Sequence, residues 1–438
     1  MNMVLTMGSR VTYQLSRLRR PTREQRKLLF SVGLNFLTRV PGAIGLLWFL
    51  PLLRFGLGTE DYSDLLASLA LGTAAIFLIW GFNTIGRRVV GEAYAADDHA
   101  AQANGFISLI VTNCVAAIFS AIFVGMFGWL RGEEPVLVLI ALLPVITGFF
   151  SLFDDVRAAF NEHYINALLL LIFQSCAYLI GFLVLVTQKD ILLAALVLSS
   201  PYILTSVVSG VYLLWHRPYL LAGQPTVIRQ FLSQGMMVAM ADSFLLATLS
   251  LSVVWLQTTI GSANSAWFAT MVRLFQTFLA PVLLLLFPLS SYIRLRWNTK
   301  SRLQQQTFIK LTVSLGMIYG SIVAFALFVS LRFYVQDLLN LPLPTMMEIV
   351  PIFICFGAII AYKTYASIAY LVIDNPTHLS SRAVIAIGGA VAIAAGTSLL
   401  TNPLIAVNVY AAVTGLALLV VVARSAAVEF RPLRLQTS

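Results

Sequence analysis

Residues 191–215, ILLAALVLSSPYILTSVVSGVYLLW, contain no Asp, Glu, Lys or Arg and belong to a series of apolar stretches that decides the fold. A helix of about 20 apolar residues crosses the roughly 30 Å hydrocarbon core of a bilayer. Of the 438 residues, 59% are hydrophobic and only 11% are charged, whereas soluble domains carry about 25% charged residues. This composition excludes a soluble enzyme, a secreted disulfide scaffold and a disordered tail, and it predicts a polytopic helical membrane protein.

Comparable apolar stretches recur along nearly the whole chain, and they predict twelve transmembrane helices. Each is bounded by loops that contain charged or turn-forming residues. The predicted spans are 28–53, 64–84, 105–129, 135–153, 163–187, 191–215, 231–256, 261–291, 308–331, 346–372, 382–400 and 403–423.

The basic residues predict the orientation of these spans. With the N-terminus in the cytoplasm, 21 of the 28 Lys and Arg residues fall on the cytoplasmic side and four on the other side, which agrees with the positive-inside rule. Both termini are therefore expected in the cytoplasm. The predicted organisation is a basic arm at 1–27, a first six-helix bundle at 28–215, a linker at 216–230, a second six-helix bundle at 231–423 and a tail at 424–438. The basic residues next to the spans are expected to contact anionic membrane lipids, and nucleic acid is not an expected partner.

An internal repeat relates the two predicted bundles. An offset of 203 residues places Leu57-Gly58 on Ile260-Gly261 and superposes the first two spans on the seventh and eighth. An even number of spans in each half makes this a parallel repeat, whose pseudo-twofold axis runs along the membrane normal. The predicted fold class is therefore all-α, with about twelve transmembrane helices in two six-helix bundles.

Four ionisable residues lie well inside predicted spans, away from the span ends, namely Arg39, Asp242, Arg273 and Lys363. Such residues cost at least about 2.5–3.5 kcal/mol each to insert, so they normally face a cavity or a partner. The 203-residue offset maps Arg39 onto Asp242. These two residues are either a gating pair that separates in one state, or a static pair, or each is satisfied within its own half.

The remaining basic residues of the membrane midplane suit an anionic substrate. Arg39, Arg273 and Lys363 are candidate substrate-binding residues, because guanidinium and ammonium groups bind phosphate. Lys363 has the alternative of extending its ammonium group to the membrane surface. Asp242 is the carboxylate that the sequence predicts near mid-membrane, which makes it the candidate site for a coupling ion, H⁺ or Na⁺.

Other motifs add one structural prediction and several expected absences. Pro41 and Gly42 follow Arg39 directly and predict a break in the first helix beside a cavity. The histidines lack metal-ligand spacing, and the three cysteines lie in apolar runs, so neither a metal site nor a disulfide framework is expected. No GxxxxGK[ST] motif occurs, and no cofactor or catalytic residue is predicted.

The outer turns and span ends of this sequence resemble those of a known family. The resemblance is carried by Asn35 and Arg39 in the first span, by the turn LGTEDY at 57–62, and by WGFNTIGRR at 80–88. The second half contains comparable turn and span-end motifs, GSANSAW at 261–267 and LFPLS at 286–290. These features resemble the lipid-linked oligosaccharide flippases of O-antigen and exopolysaccharide export. Their superfamily, the multidrug/oligosaccharidyl-lipid/polysaccharide exporters, also contains the MATE drug exporters and the lipid II flippase.

The resemblance implies a V-shaped pair of bundles in a bacterial inner membrane. It also implies alternating-access transfer of an undecaprenyl-pyrophosphate-linked oligosaccharide to the periplasmic leaflet, in concert with other polysaccharide-export proteins. A cation-coupled multidrug exporter on the same fold is the alternative, although one carboxylate against three bases in the midplane argues against it. A membrane polysaccharide polymerase or ligase is a further alternative, but the outer loops are short and the longest predicted one is Phe333–Thr345.

Overall fold

The computed structural model of the chain describes residues 23–160, 162–297, 302–372, 377–398 and 402–428. Within these ranges the chain is helical apart from short connections. In chain order the helices are α1 (Arg23–Leu57), α2 (Thr59–Ala75), α3 (Phe77–Ala95), α4 (His99–Arg131), α5 (Pro135–Ala159), α6 (His163–Gln188), α7 (Ile191–His216), α8 (Phe244–Ile260), α9 (Ser262–Trp297), α10 (Arg302–Ser330), α11 (Met346–Val372), α12 (Thr377–Ser398) and α13 (Pro403–Val428).

These helices make up twelve rods in the described part of the chain. Helices α2 and α3 make a single rod that bends by 48°, and residues 228–243 extend α8 toward its N-terminus. Among the described residues, seven helices are long and apolar enough to cross a membrane alone, and the bent rod makes an eighth. The predicted fold class is confirmed, since the chain is an all-α, polytopic membrane protein with two six-helix bundles. The basic arm up to residue 22 and the tail from residue 429 lie outside the described residues.

The surface of α4 illustrates how such a helix meets lipid. Its side chains Ile118, Phe119 and Ile122 are exposed, whereas Asn113 and Ser120 on another face are buried. The Ser120 hydroxyl donates a 2.7 Å hydrogen bond to the main-chain oxygen of Ala75. Apolar side chains thus face outward and polar ones inward, which is the arrangement expected where hydrocarbon replaces water around the protein.

The two turns that the 203-residue offset aligns have the same backbone conformation. Gly58 ends α1 with φ 94°, and Gly261 ends α8 with φ 86°. Residues with a side chain rarely adopt this conformation. No atom of the described residues lies within 4 Å of a Cβ atom built at either position. Glycine is therefore required by the positive φ angle and not by steric contact. The predicted repeat is confirmed at this turn.

The helix irregularities fall at other places than the sequence predicted. Helix α1 continues through Pro41 and Gly42, so the predicted break is wrong at this position. Instead, π-helical turns occur at Phe231–Gly235, Ala239–Ser243 and Leu331–Leu338. The last of these continues α10 and shortens the predicted loop Phe333–Thr345.

Hydrogen bonds join the two bundles near the Gly58 and Gly261 turns, at the end that the charge pattern predicts to be extracytoplasmic. The Tyr62 hydroxyl lies 2.8 Å from the Thr270 hydroxyl, and both side chains are buried. Asp64 accepts a 2.7 Å hydrogen bond from Ser262 and another from the Gln257 amide. We call this group of five residues the outer seal. It closes the space between the bundles at that end.

Candidate functional site

A cavity of about 490 Å³ lies between the two bundles. It extends from Leu69 and Arg273, below the outer seal, toward residues near the opposite ends of α3, α5 and α6. Its wall combines aromatic, hydroxyl, amide and charged side chains. Those that matter for chemistry are Trp80, Asn83, Thr84, Arg87, Thr147, Ser151, Asp154, Asp155, His163, Asn166, Tyr202, Thr205, Ser243, Arg273, Gln276 and Lys363.

A chain of amide and hydroxyl groups lines the first-bundle side of this cavity. The Asn113 amide donates to Oδ1 of Asn83 over 2.5 Å, and the Asn83 amide donates to Oγ of Ser151 over 2.9 Å. The Ser151 hydroxyl in turn donates to the main-chain oxygen of Gly148 over 2.7 Å. These bonds run from α4 through α3 to α5, so they hold the polar wall in one arrangement.

Two neighbouring carboxylates, Asp154 and Asp155, lie in the cavity wall on α5. Asp154 accepts a 2.5 Å hydrogen bond from Ser206 at its Oδ2 atom, while its Oδ1 atom is buried and has no hydrogen-bond partner within the described ranges. Asp155 lies 3.5 Å from Nη1 of Arg87, and both of these side chains are largely buried. The site therefore contains one paired carboxylate and one with a vacant acceptor.

Neither carboxylate is among the predicted site residues, because the predicted fourth span ends at residue 153 and leaves both in a cytoplasmic loop. Helix α5 in fact continues to Ala159. The prediction that Asp242 is the mid-membrane carboxylate is therefore incomplete. The signal was present in Val156 and Ala159, which continue the apolar face of the helix by one more turn and are both buried.

The predicted binding residues Arg273 and Lys363 lie on the second-bundle side of the same cavity. Arg273 is half-buried, and its Nε atom has no hydrogen-bond partner in the part of the chain that the structure describes. Lys363 is only 3% exposed. Its side chain therefore does not extend to the membrane surface, and the prediction that it lines a cavity is the better of the two alternatives.

The other predicted residues lie on helices, but most of their side chains are outside the described part. Arg39 and Pro41 lie in α1, and Asp242 lies in the π-helical turn Ala239–Ser243. Whether Arg39 and Asp242 pair stays a prediction. Gly42 has a packing role, because a Cβ atom there would lie 2.4 Å from Oε1 of Gln174 in α6. The small residue that suggested a helix break therefore permits a close helix contact.

A charged cluster lies beside the cavity at the predicted cytoplasmic ends of α5, α6 and α7. Arg157 is fully buried, donates to Asn166 over 3.3 Å, and lies 4.5 Å from the ring centre of Tyr212. Arg217 binds both carboxylate oxygens of Glu162, at 2.6 and 3.2 Å. Burial alone would lower the pKa of Arg217, but the hydrogen bonds and the charge of Glu162 outweigh burial and raise the pKa. Arg217, the first residue after α7, is thus firmly attached to the first bundle.

Comparison with known proteins gives matches in structure but not in sequence. No family model and no curated protein match this sequence. The eukaryotic MATE transporter AtDTX14 is 13% identical, with a TM-score of 0.64 over 93% of this chain and 99% of that chain. A multidrug resistance MATE family transporter of the MOP superfamily, in its outward-facing conformation, is 13% identical, with a TM-score of 0.62 over 93% and 98%.

The Vibrio cholerae MATE transporter VcmN in its bent form is similar to a smaller degree. It is 14% identical, with a TM-score of 0.54 over 92% of this chain and 98% of that chain. At such identities the likeness concerns architecture, and it extends over nearly the full length of each chain. The chain therefore has the fold of the MATE transporters, members of the MOP superfamily.

Proposed function

We propose that this protein is a secondary active exporter that moves an amphiphilic organic solute by alternating access and is driven by H⁺ or Na⁺. The single observation that carries this proposal is the carboxylate pair Asp154–Asp155 in a cavity between two bundles of a transporter fold. Buried carboxylates in a membrane protein are expensive and mark ion pathways. We therefore favour an ion-coupled exporter over the flippase, because the cavity wall contains two carboxylates, whereas the sequence predicts only Asp242 near mid-membrane.

The coupling ion would bind at Asp154. Its Oδ2 atom accepts a hydrogen bond from Ser206, while its buried Oδ1 atom has no partner among the described residues and could bind a proton or ligate Na⁺. Asp155 already has a counter-ion in Arg87. Asp242 remains a second candidate for the same role.

The cavity suits a solute of moderate size that is partly apolar. Its volume of about 490 Å³ lies within the range of roughly 300–1,000 Å³ that is typical of small-molecule sites. Trp80 and Tyr202 supply flat apolar surface, and Asn83 and Thr147 supply polar groups. The outer seal closes the cavity at one end, as alternating access requires of one of its two states.

Ethidium transport tests the proposal. We expect proteoliposomes that contain the protein to move ethidium only under an imposed H⁺ or Na⁺ gradient, with no movement in empty liposomes. A fluorescent undecaprenyl-pyrophosphate-linked saccharide is assayed in parallel. Movement of the saccharide lipid together with absence of ethidium transport under either gradient would reject the exporter in favour of a flippase.

The lipid-linked oligosaccharide flippase stays the second candidate, because Arg273 and Lys363 place two cationic groups on one wall of the cavity. Such a wall fits a pyrophosphate headgroup. In that case the protein would work in a bacterial inner membrane with other polysaccharide-export proteins.

Arg273→Ala separates the two candidates. The exporter proposal predicts that ethidium transport is retained or rises, because a cation no longer repels the cationic probe, whereas a flippase would lose most of its saccharide-lipid transfer. Arg332→Ala is the matched control, since Arg332 is exposed and distant in sequence from the cavity wall. A strong fall in ethidium transport in Arg273→Ala alone would contradict the exporter as proposed.

A further inference from the structure

The linker between the two bundles is predicted at 216–230, and in the structure its non-α-helical part is residues 217–227. This part lies along α4 of the first bundle. The Tyr219 hydroxyl donates a 2.6 Å hydrogen bond to Gln102. Further along, the main-chain N–H of Gln224 donates a 2.7 Å hydrogen bond to Oδ1 of Asn104. Both bonds are formed with residues of the first bundle, so the linker is attached there along its length.

Two further contacts restrict the linker. Arg217 forms the two hydrogen bonds to Glu162 described above, and its guanidinium carbon lies 4.1 Å from the ring centre of Phe160. At Gly223 the backbones touch, because a Cβ atom there would lie 2.2 Å from the main-chain oxygen of Ala103. A loop that is bonded and close-packed in this way is a poor place for a large change in backbone angles.

The first irregular helical backbone after the linker overlaps the predicted span 231–256. Residues 228–243 contain the π-helical turns Phe231–Gly235 and Ala239–Ser243, separated by one short α-helical stretch, Met236–Val238. π-Helical turns are rare, they bend or widen a helix, and they occur frequently at functional sites. Two of them within thirteen residues make this the part of the rod that can bend at the smallest cost.

This segment also contacts the other bundle by its backbone. A Cβ atom on Gly81 of α3 would lie 2.5 Å from the main-chain oxygen of Gly235 and 2.5 Å from Cβ of Ala239. The two bundles therefore approach one another closely beside the π-helical turns. If the two bundles rotate relative to one another, the rotation is expected to be centred on a contact of this kind, which both bundles keep.

We propose that the linker 217–227 is a fixed part of the first bundle and that the two π-helical turns in 231–243 are the joint about which the bundles move. The loop that connects the halves is then not the hinge. This inference rests on the proposed alternating-access transport, because only a protein whose halves move needs such a joint.

Chemical cross-linking of cysteine pairs tests the joint in a variant without Cys114, Cys176 and Cys355, using a short bifunctional methanethiosulfonate reagent. The first pair, His99→Cys/Tyr219→Cys, ties the linker to α4 where the two rings lie 4.7 Å apart. We expect transport to continue after cross-linking. Asn104→Cys/Gln224→Cys ties the same two elements and replaces the first pair if that variant does not fold.

The second pair, Gln230→Cys/Gln234→Cys, spans the first π-helical turn, where the two side chains are 3.4 Å apart. We expect cross-linking here to stop transport. Tyr164→Cys/Leu168→Cys is the matched control, since it has the same spacing, lies near the same end of a helix and is exposed. Cross-linking of this control pair is expected to leave transport unchanged.

The outcomes are distinguishable. Transport is measured with whichever probe, ethidium or the saccharide lipid, the uncross-linked protein moves. Loss of transport on tying the linker to α4 would overturn the fixed linker, and continued transport with the π-helical turn cross-linked would overturn the joint. Failure of the cysteine-free protein to move either probe would instead contradict the proposed function.

Discussion

Asp154→Asn is expected to abolish gradient-driven transport while the protein still folds. An amide has nearly the same shape as the carboxylate and still accepts the hydrogen bond from Ser206, but it cannot bind a proton in this pH range and is a weaker Na⁺ ligand. The nearby Arg157 keeps its ion pair with Glu162, so neutralising Asp154 leaves no buried charge without its counter-ion. Ethidium uptake under imposed H⁺ and Na⁺ gradients, with thermal unfolding of the same preparation, measures both effects.

The control for this substitution is Asp97→Asn, which makes the same chemical change at an exposed turn. Asp97 has φ 56°, a conformation that Asn tolerates well, so neither transport nor stability should change. Coupled transport at the wild-type rate in Asp154→Asn would contradict the assignment of the coupling site and would turn attention to Asp242.

Asp155→Asn is a poorer test, because it leaves the buried Arg87 without the carboxylate at 3.5 Å. Breaking a buried ion pair on one side typically costs about 3–5 kcal/mol, so a loss of transport there would be mixed with a loss of folded protein. The contrast between the two neighbours follows from their partners and not from their position in the sequence.

Gly72→Ala is expected to destabilise the first bundle more than any other single methyl addition among the described helical glycines. A Cβ atom at Gly72 of α2 would lie only 2.0 Å from the main-chain oxygen of Ala141 in α5, and 2.9 Å from Cγ of Pro144. Backbone atoms yield little, so the two helices must separate. Overpacking of this kind costs about 1–3 kcal/mol or more, and a lower unfolding temperature of the purified protein would measure it.

Gly388→Ala is the matched control, since no atom of the described residues lies within 4 Å of a Cβ atom at that position of α12. Here alanine should be neutral or slightly stabilising, because it lowers the backbone entropy of the unfolded chain. Equal unfolding temperatures for Gly72→Ala and the wild type would mean that α2 and α5 are not packed as closely as described.

Much of the architecture could be predicted, since the apolar stretches and the repeat are visible in the sequence. The offset of 203 residues aligned Gly58 with Gly261, and the two turns share one backbone conformation. The ends of the spans are harder to predict than their centres. Hydrophobicity declines gradually toward a membrane surface, so residues 154–159 were assigned to a loop although they form the last turn of α5.

The candidate site could be predicted only in part. Arg273 and Lys363 were identified because an isolated charge in an apolar span is conspicuous, and both line the cavity. Asp154 and Arg87 are not identified, because each lies beside another charged residue just beyond the end of a predicted span. Pro41 and Gly42 predict a helix break that the structure does not have. The glycine instead makes room for the side chain of Gln174.

The local sequence determines that this chain crosses the membrane many times as helices, because a backbone in hydrocarbon must satisfy its own hydrogen bonds within each segment. The meeting of charges in one cavity is not a local property. It depends on the rotation and height of every helix relative to its neighbours, and these follow from contacts such as Gly72 on Ala141 and Gly81 on Gly235. Only the tertiary structure could therefore place Asp154 and Asp155 in the same cavity as Arg273 and Lys363.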